Sequence, residues 1–119
     1  MEIEFYKTES GREPVSEFIL RLQGKQSAKV LQNIELLEKF GNELHYPYVE
    51  SIKGEKYKGL MELRTKAIDG VFRVFYFVVV ENKAVLLHAI QKKTDKTPQK
   101  ELETALARMK EYKARGGNK

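Results

Sequence analysis

The alternation of hydrophobic and polar residues predicts a strand followed by two helices in the first 41 residues. Apolar and charged residues alternate over about residues 2–7, which predicts a strand. Apolar residues at helical spacing then predict a helix from Pro14, which suits a first helical position, until Gly24 ends it. A second helix is predicted over about residues 27–40, with Gly41 as its carboxyl-terminal cap.

The rest of the chain predicts three strands and a last helix. Residues 42–58 have a mixed pattern and are interpreted as mostly loop. Strands are predicted over residues 59–66, 71–80 and 84–90. Asp69-Gly70 is a strong hairpin signal, and residues 81–83 are interpreted as a second tight turn. Thr97 is predicted to cap the last helix, with Pro98 in its first turn.

The predicted element order, β-α-α-β-β-β-α, defines the expected fold class. Strands joined by tight turns run antiparallel. The sequence therefore predicts an α+β fold, a small twisted antiparallel sheet with the helices packed on one side. A length of 119 residues is typical of one domain. We expect residues 1–119 to form that domain, with a flexible tail at residues 114–119.

Charge is distributed unevenly along the chain. Residues 1–84 contain 13 basic and 13 acidic side chains, whereas residues 85–119 contain nine basic and four acidic ones. The whole formal excess of +5 therefore lies in the last part of the chain. Such an asymmetry points to an anionic partner, most often nucleic acid. The alternative is a solvated basic helix and tail without a specific partner.

Composition excludes several classes of protein. Without cysteine the chain has no disulfide framework, no thiol nucleophile and no thiolate metal site. The only long apolar stretch, Val71–Val80, is interrupted by Arg73 and is too short to span a bilayer. The amino-terminal residues contain no apolar signal-peptide core. A cytoplasmic protein without a membrane segment is expected.

Strand parity predicts which charged side chains share a face of the sheet. Two-residue turns in both hairpins would place five basic side chains on one face: Arg64, Lys66, Arg73, His88 and Lys92. A three-residue turn in either hairpin would break this parity. Glu62 is the only carboxylate of the three strands with matching parity.

A face with several cations and one carboxylate is open to two interpretations. Opposed cations destabilise a sheet, which favours a missing anion, and arginine suits bidentate contact with phosphate. Alternatively, Arg73 forms a buried salt bridge, either with Glu62 or with a carboxylate of the first strand, and His88 is a satisfied, half-buried histidine. Lys93 and Lys96, just before the last helix, either extend a phosphate site or belong to a solvated loop.

Five short motifs resemble those of the RelE/ParE toxin superfamily, and most closely its HigB-like, phage-related branch. They are Gly11-x-x-Pro14-Val15-x-x-Phe18, Glu62-Leu63-Arg64, Gly70-Val71-Phe72-Arg73-Val74-Phe75-Tyr76, Leu86-Leu87-His88 and Lys92-Lys93-Thr94-Asp95-Lys96-Thr97-Pro98. The resemblance covers about residues 3–112. It implies a RelE-like fold and a toxin of a type II toxin–antitoxin pair.

The resemblance also implies a reaction and partners. Such toxins enter the ribosomal A site and cleave mRNA without a metal or cofactor, by attack of a ribose 2′-OH on the adjacent phosphate. That reaction needs a base, positive charge for the phosphorane and an acid for the 5′-oxygen. The expected partners are the ribosome, mRNA and a helix-turn-helix, HigA-like antitoxin. No membrane partner is expected.

Site residues follow from the match to the family motifs. Arg73 matches the arginine that contacts the scissile phosphate, and Arg64 matches the arginine of the preceding strand. Lys93 stands where RelE-type members place a second catalytic arginine, with Lys92 beside it. The predicted catalytic residues are Arg64, Arg73, His88, Lys92 and Lys93, and the predicted RNA-binding residues are Lys66, Lys96 and Lys100.

The chain also departs from the family pattern. RelE-type members have lysines where this chain has Leu60 and Glu62, and a tyrosine near the position of Gln99. The general base is therefore open among His88, Lys92 and Glu62. Two other functions are kept as alternatives, a ParE-like inhibitor of DNA gyrase without catalysis and a basic RNA-binding module without toxicity.

Overall fold

Within the residues that the computed structural model describes, 1–80, 82–94 and 96–116, five strands and three α-helices form the fold. The strands are β1 (Glu2–Phe5), β2 (Val49–Ser51), β3 (Met61–Ala67), β4 (Gly70–Val79) and β5 (Lys83–Lys92). The helices are α1 (Pro14–Leu20), α2 (Gly24–Phe40) and α3 (Gln99–Ala114). The predicted α+β class is confirmed. No helix of these described residues is long and apolar enough to cross a membrane.

The sheet is mixed rather than wholly antiparallel. Its strand order is β1-β5-β4-β3-β2, and β2 to β5 form an antiparallel meander. The first strand lies at the edge beside β5 and runs parallel to it. The tight-turn argument does not apply to β1, because α1 and α2 separate it from the next strand and carry the chain to the opposite edge.

Helices cover both faces of the sheet, so the prediction that they pack on one side is wrong. The first hydrophobic cluster joins α1 and α2 to one face: Val15, Ile19, Val30, Ile34 and Leu37 with Phe72, Val74, Tyr76 and Leu86. The second joins α3 to the other face: Ala105, Leu106, Met109 and Tyr112 with Phe75, Phe77, Val79, Val85 and Leu87. Because β4 is apolar on both sides, both faces need a cover to exclude water.

The register of the hairpins preserves the predicted parity. Ala67 pairs with Gly70, so the first turn has two residues as expected, and Arg64 lies opposite Arg73. In the second hairpin Val79 pairs with Lys83, which leaves three residues between the paired positions instead of two. A bulge in β5, opposite the step from residue 75 to 76, then shifts the register back by one residue.

The segment predicted as loop, residues 42–58, contains the edge strand β2 and two short 3-10 turns, at Gly41–Glu43 and Glu55–Tyr57. The loop interpretation was therefore wrong for Val49–Ser51. Three residues are too few to establish a period of two. Pairing with β3, from which it is separated by residues 52–60, forms this strand.

The last helix begins later than predicted. Its N-cap is Pro98, whose carbonyl accepts from the backbone N–H of Glu101 at 3.0 Å, and no side chain caps the helix. The prediction that Thr97 is the cap is therefore wrong. In the predicted tail, Ala114 ends α3 and the Arg115 guanidinium binds Glu111 and the Lys7 carbonyl. Residues 117–119 of that tail lie outside the described residues, as do Glu81 of the second turn and Asp95 of the lysine-rich motif.

Gly70 holds the first hairpin close to the end of β5. Its φ is +144°, a backbone angle that residues other than glycine rarely adopt. A Cβ atom there would lie 2.5 Å from the carbonyl oxygen of Lys92. Glycine therefore permits the close approach that brings the ends of β3, β4 and β5 together, and these ends carry the basic side chains.

Candidate functional site

The sheet register arranges the charged side chains in cross-strand rows on the face that carries α3. The first row is Lys66, Val71 and Lys92, the second is Arg64, Arg73 and Ile90, and the third is Glu50, Glu62, Phe75 and His88. The first two rows are called the cationic rows below. Along the strands, the charged side chains are therefore basic in the two rows nearest the β3–β4 hairpin, and carboxylates first occur in the third row. The predicted sharing of a face by the five basic residues is confirmed.

A groove of about 600 Å³ lies over the cationic rows. Its lining comes from α2, from β2 and the segment before it, and from β3 and β4: Asn33, Tyr46, Pro47, Tyr48, Glu50, Arg64, Lys66, Val71 and Arg73. Lys66 is exposed, the Arg64 side chain is 18% exposed, and the Arg73 side chain is 4% exposed. Among the described lining residues three are cationic and one, Glu50, is a carboxylate, so the groove favours an anion.

A buried ion pair forms the inner wall of this site. Nη1 of Arg73 lies 2.5 Å from Oε2 of Glu62, and both side chains are 4% exposed. Nε of Arg64 lies 3.5 Å from the same oxygen. Burial raises the pKa of Glu62, against the opposing effect of Arg73 and Arg64. The salt-bridge alternative for Arg73 is therefore realised, and the cations are not without a compensating carboxylate.

The backbone around Arg64 is held from both sides. Its N–H donates to the Tyr48 carbonyl at 2.7 Å, which extends the pairing of β2 and β3. Its carbonyl accepts from Asn33 Nδ2 at 3.0 Å, and the same amide nitrogen donates to Thr65 Oγ1 at 2.9 Å. The guanidinium also lies 3.8 Å from Glu50 Oε1, at the mouth of the groove. Arg64 thus presents its charge to the groove from a fixed backbone.

Sequence reasoning missed the wall of the groove. Tyr46 and Tyr48, 65% and 41% exposed, flank Pro47 in the segment that was interpreted as loop. Glu50 follows two residues later, on the same side of a short strand. The alternation of Tyr48, Val49 and Glu50 was the available signal. It is too short to distinguish a strand from a loop without knowledge of its partner strand.

His88 lies under α3 and is absent from the described lining of the groove. Its Nε2 lies 2.7 Å from Glu101 Oε1, and its Nδ1 lies 3.1 Å from Arg108 Nη1. Because arginine only donates, Nδ1 accepts and the ring proton is assigned to Nε2, where it bonds Glu101. Burial lowers the pKa of His88, which agrees with a neutral ring.

The remaining predicted lysines are absent from the described lining of the groove. Lys92 is half-buried and ends the first cationic row, with Val71 between it and Lys66. Lys93, Lys96 and Lys100 are exposed on the segment from the end of β5 to the first turn of α3. They add solvent-exposed positive charge to the segment that follows the first cationic row.

Comparison with models of known protein families assigns the chain to a family. The family model Phage derived protein Gp49-like (DUF891) matches residues 17–110. The chain belongs to the Gp49-like family. This family is RelE-like and associated with toxin–antitoxin systems. The match includes β2 to β5 and thus both cationic rows of this Gp49-like protein. A search among curated proteins gives no match.

Replacing one member of the buried pair should cost more stability than replacing both. Arg73→Met leaves the Glu62 carboxylate buried with only the longer Arg64 contact, and should lower the free energy of unfolding by about 3–5 kcal/mol. Glu62→Leu combined with Arg73→Met should cost less than either single change, because no isolated charge remains. Denaturant unfolding of the three variants measures this coupling. Additive costs would show that the two charges do not depend on each other.

The neutral state of His88 predicts a pH dependence of stability. Its pKa in the folded protein lies below the ordinary value of 6.5, so the unfolded chain binds the proton more readily. The wild type should lose stability relative to His88→Gln as pH falls from 7.5 to 5.5, by at most about 1.4 kcal/mol per pH unit. Chemical denaturation of both proteins across this range tests the sign. A relative gain in stability at low pH would mean that folded His88 is protonated.

Proposed function

We propose that this Gp49-like protein is a toxin that cleaves mRNA on the ribosome, by attack of a ribose 2′-OH on the neighbouring phosphate. The supporting observation is the groove itself, in which Arg64, Lys66 and Arg73 converge beside one exposed carboxylate. Strand cleavage of this type requires positive charge around a phosphate together with a base that accepts a proton. Membership of a family associated with toxin–antitoxin systems supports the same function.

Arg64 and Lys66 are the proposed contacts to the scissile phosphate. Both reach the groove, and Arg64 presents a planar group suited to two phosphate oxygens. Arg73 is buried deeper, and its Nη1 faces Glu62. Its proposed contribution is to hold Glu62 and Arg64 in position and to add positive potential as charge develops on the phosphorane.

Glu50 is the proposed general base. It is the one carboxylate among the described residues that line the groove, and it lies beside Arg64. A base must come within about 3 Å of the hydroxyl that it deprotonates. The Glu62 carboxylate is 4% exposed, and both ring nitrogens of His88 are hydrogen-bonded. Neither residue is therefore placed as well as Glu50 to accept a proton from a bound ribose.

The proposed reaction moves two protons. Glu50 takes the proton of the 2′-OH, the oxygen bonds to phosphorus, and the bond from phosphorus to the 5′-oxygen breaks. The leaving 5′-oxygen takes a proton from the ammonium group of Lys66, and a 2′,3′-cyclic phosphate remains on the other fragment. Lys92, Lys93, Lys96 and Lys100 form the proposed electrostatic surface for ribosomal RNA. The proposed inhibitor is a helix-turn-helix, HigA-like antitoxin.

Cleavage on purified translating ribosomes tests this proposal. The wild type should cut a defined mRNA and leave a 2′,3′-cyclic phosphate. Glu50→Gln should lower the cleavage rate by about 10²–10⁴-fold, the usual contribution of a general base. Glu35→Gln, which neutralises an exposed carboxylate of α2 outside the groove, is the matched control and should cleave like the wild type.

Induction in cells separates this function from inhibition of DNA gyrase. Incorporation of labelled amino acids should fall before incorporation of labelled thymidine. An early fall in DNA synthesis with intact mRNA would contradict the proposal and favour a ParE-like inhibitor. Normal growth on induction without an antitoxin would favour an RNA-binding module without toxicity.

A further inference from the structure

Tyr48 is held next to Arg64 by the sheet. The cross-strand pairs Glu50–Glu62 and Val49–Leu63 continue through the 2.7 Å hydrogen bond from the Arg64 N–H to the Tyr48 carbonyl. Side chains alternate along a strand, so Tyr48 lies on the same face as Glu50. Tyr48 therefore begins the second cationic row, one strand away from Arg64.

The two tyrosines of the groove differ from most aromatic residues of the chain. Tyr6, Tyr76 and Tyr112 are buried in the hydrophobic clusters. Tyr46 and Tyr48 instead expose 65% and 41% of their surface and line the cavity above the arginines. Val71, half-buried between Lys66 and Lys92, adds apolar surface to the floor. The groove thus offers aromatic and apolar surface directly beside its cations.

We propose that Tyr48, together with Tyr46, stacks on a nucleobase of single-stranded RNA whose phosphate is bound at Arg64. Neighbouring strands lie about 4.8 Å apart. A ring on β2 and a guanidinium on β3 line the same cavity and can contact the base and the phosphate of one RNA segment. Single-strand binding proteins combine these two elements, a cationic track and aromatic rings. This inference rests on the proposed function and adds the base-contacting surface to it.

A protein segment is the alternative occupant of such a surface. The charge of the lining favours RNA, because Arg64 and Lys66 stand against the single carboxylate of Glu50 among the described lining residues, while Glu62 balances the charge of Arg73. Stacking has an experimental signature that phosphate contacts lack. Loss of a phosphate contact reduces the salt dependence of affinity, whereas loss of a stacked base lowers affinity equally at every salt concentration.

Binding of a fluorescent, fully 2′-O-methylated RNA oligonucleotide, measured by anisotropy at several NaCl concentrations, tests the inference. The methyl groups block cleavage. Tyr48→Leu should weaken binding about 5- to 150-fold, the loss of one stacked base, without changing the slope of log K against log salt. Lys66→Ala should reduce that slope by about 0.7, the loss of one phosphate contact in a single strand.

Matched variants and probes control this experiment. Tyr48→Phe keeps the ring and should bind like the wild type. Phe40→Ala, which removes an exposed aromatic ring outside the groove, should also leave binding unchanged. An abasic ribose-phosphate oligomer should bind the wild type and Tyr48→Leu equally, because it has no base to stack. Circular dichroism verifies that each variant is folded. If Tyr48→Leu does not fold, Tyr46→Leu replaces it as the variant that removes a ring from the groove.

The outcomes separate this inference from the proposed function. Salt-dependent RNA binding that the tyrosine variants leave unchanged would overturn the stacking inference and leave the proposed function standing. Failure of the wild type to bind RNA at any salt concentration would also overturn the stacking inference, whereas the proposed function is decided separately by cleavage of mRNA on the ribosome. If Tyr48→Leu instead weakens only the complex with a co-expressed helix-turn-helix antitoxin, the surface is a protein-docking site and the inference is wrong.

Discussion

The site depends first on the buried ion pair between Glu62 and Arg73. Two isolated charges at this depth would destabilise the sheet, so each requires the other. The pair also fixes Arg64, whose Nε lies 3.5 Å from the shared carboxylate oxygen. Because the pair is nearly neutral as a unit, the exposed charge of the groove comes from Arg64 and Lys66. The Glu62 carboxylate therefore affects both the stability of the sheet and the positive charge that the groove presents.

The face of the sheet that carries this pair is divided into two regions. Under α3, Phe75 packs against His88, whose ring is bonded to Glu101 and Arg108. Beyond it, the cationic rows are open and form the groove. The bulge in β5 makes this division possible, since it returns His88 and Lys92 to the face of the arginines after a three-residue connection. One local irregularity thus decides which basic side chains share a face.

Local signals in the sequence predicted the part of the site that lies within one hairpin. Asp69-Gly70 indicated the hairpin, and an assumed two-residue turn placed Arg64 either opposite or diagonal to Arg73. The structure has the two arginines directly opposite, with Ile68 and Asp69 between the paired Ala67 and Gly70. The Glu62 bridge could be stated only as an alternative, because burial depends on α3 and on neighbouring strands. Tyr48 and Glu50 could not be placed, since their strand exists only through pairing with β3. The parallel position of β1 and the two helical layers likewise depend on contacts distant in sequence.

The central claim is that RNA lies across the cationic rows and not on the outer surface of α3. Heteronuclear NMR of the labelled protein, titrated with a non-cleavable 2′-O-methyl RNA, tests it most directly. The account predicts that signals of Tyr48, Arg64 Nε–H and Lys66 shift together and saturate at one RNA concentration. Signals of Lys110 and Lys113, on the exposed surface of α3, should stay in place. Shifts confined to α3, with the groove signals unchanged, would contradict the account.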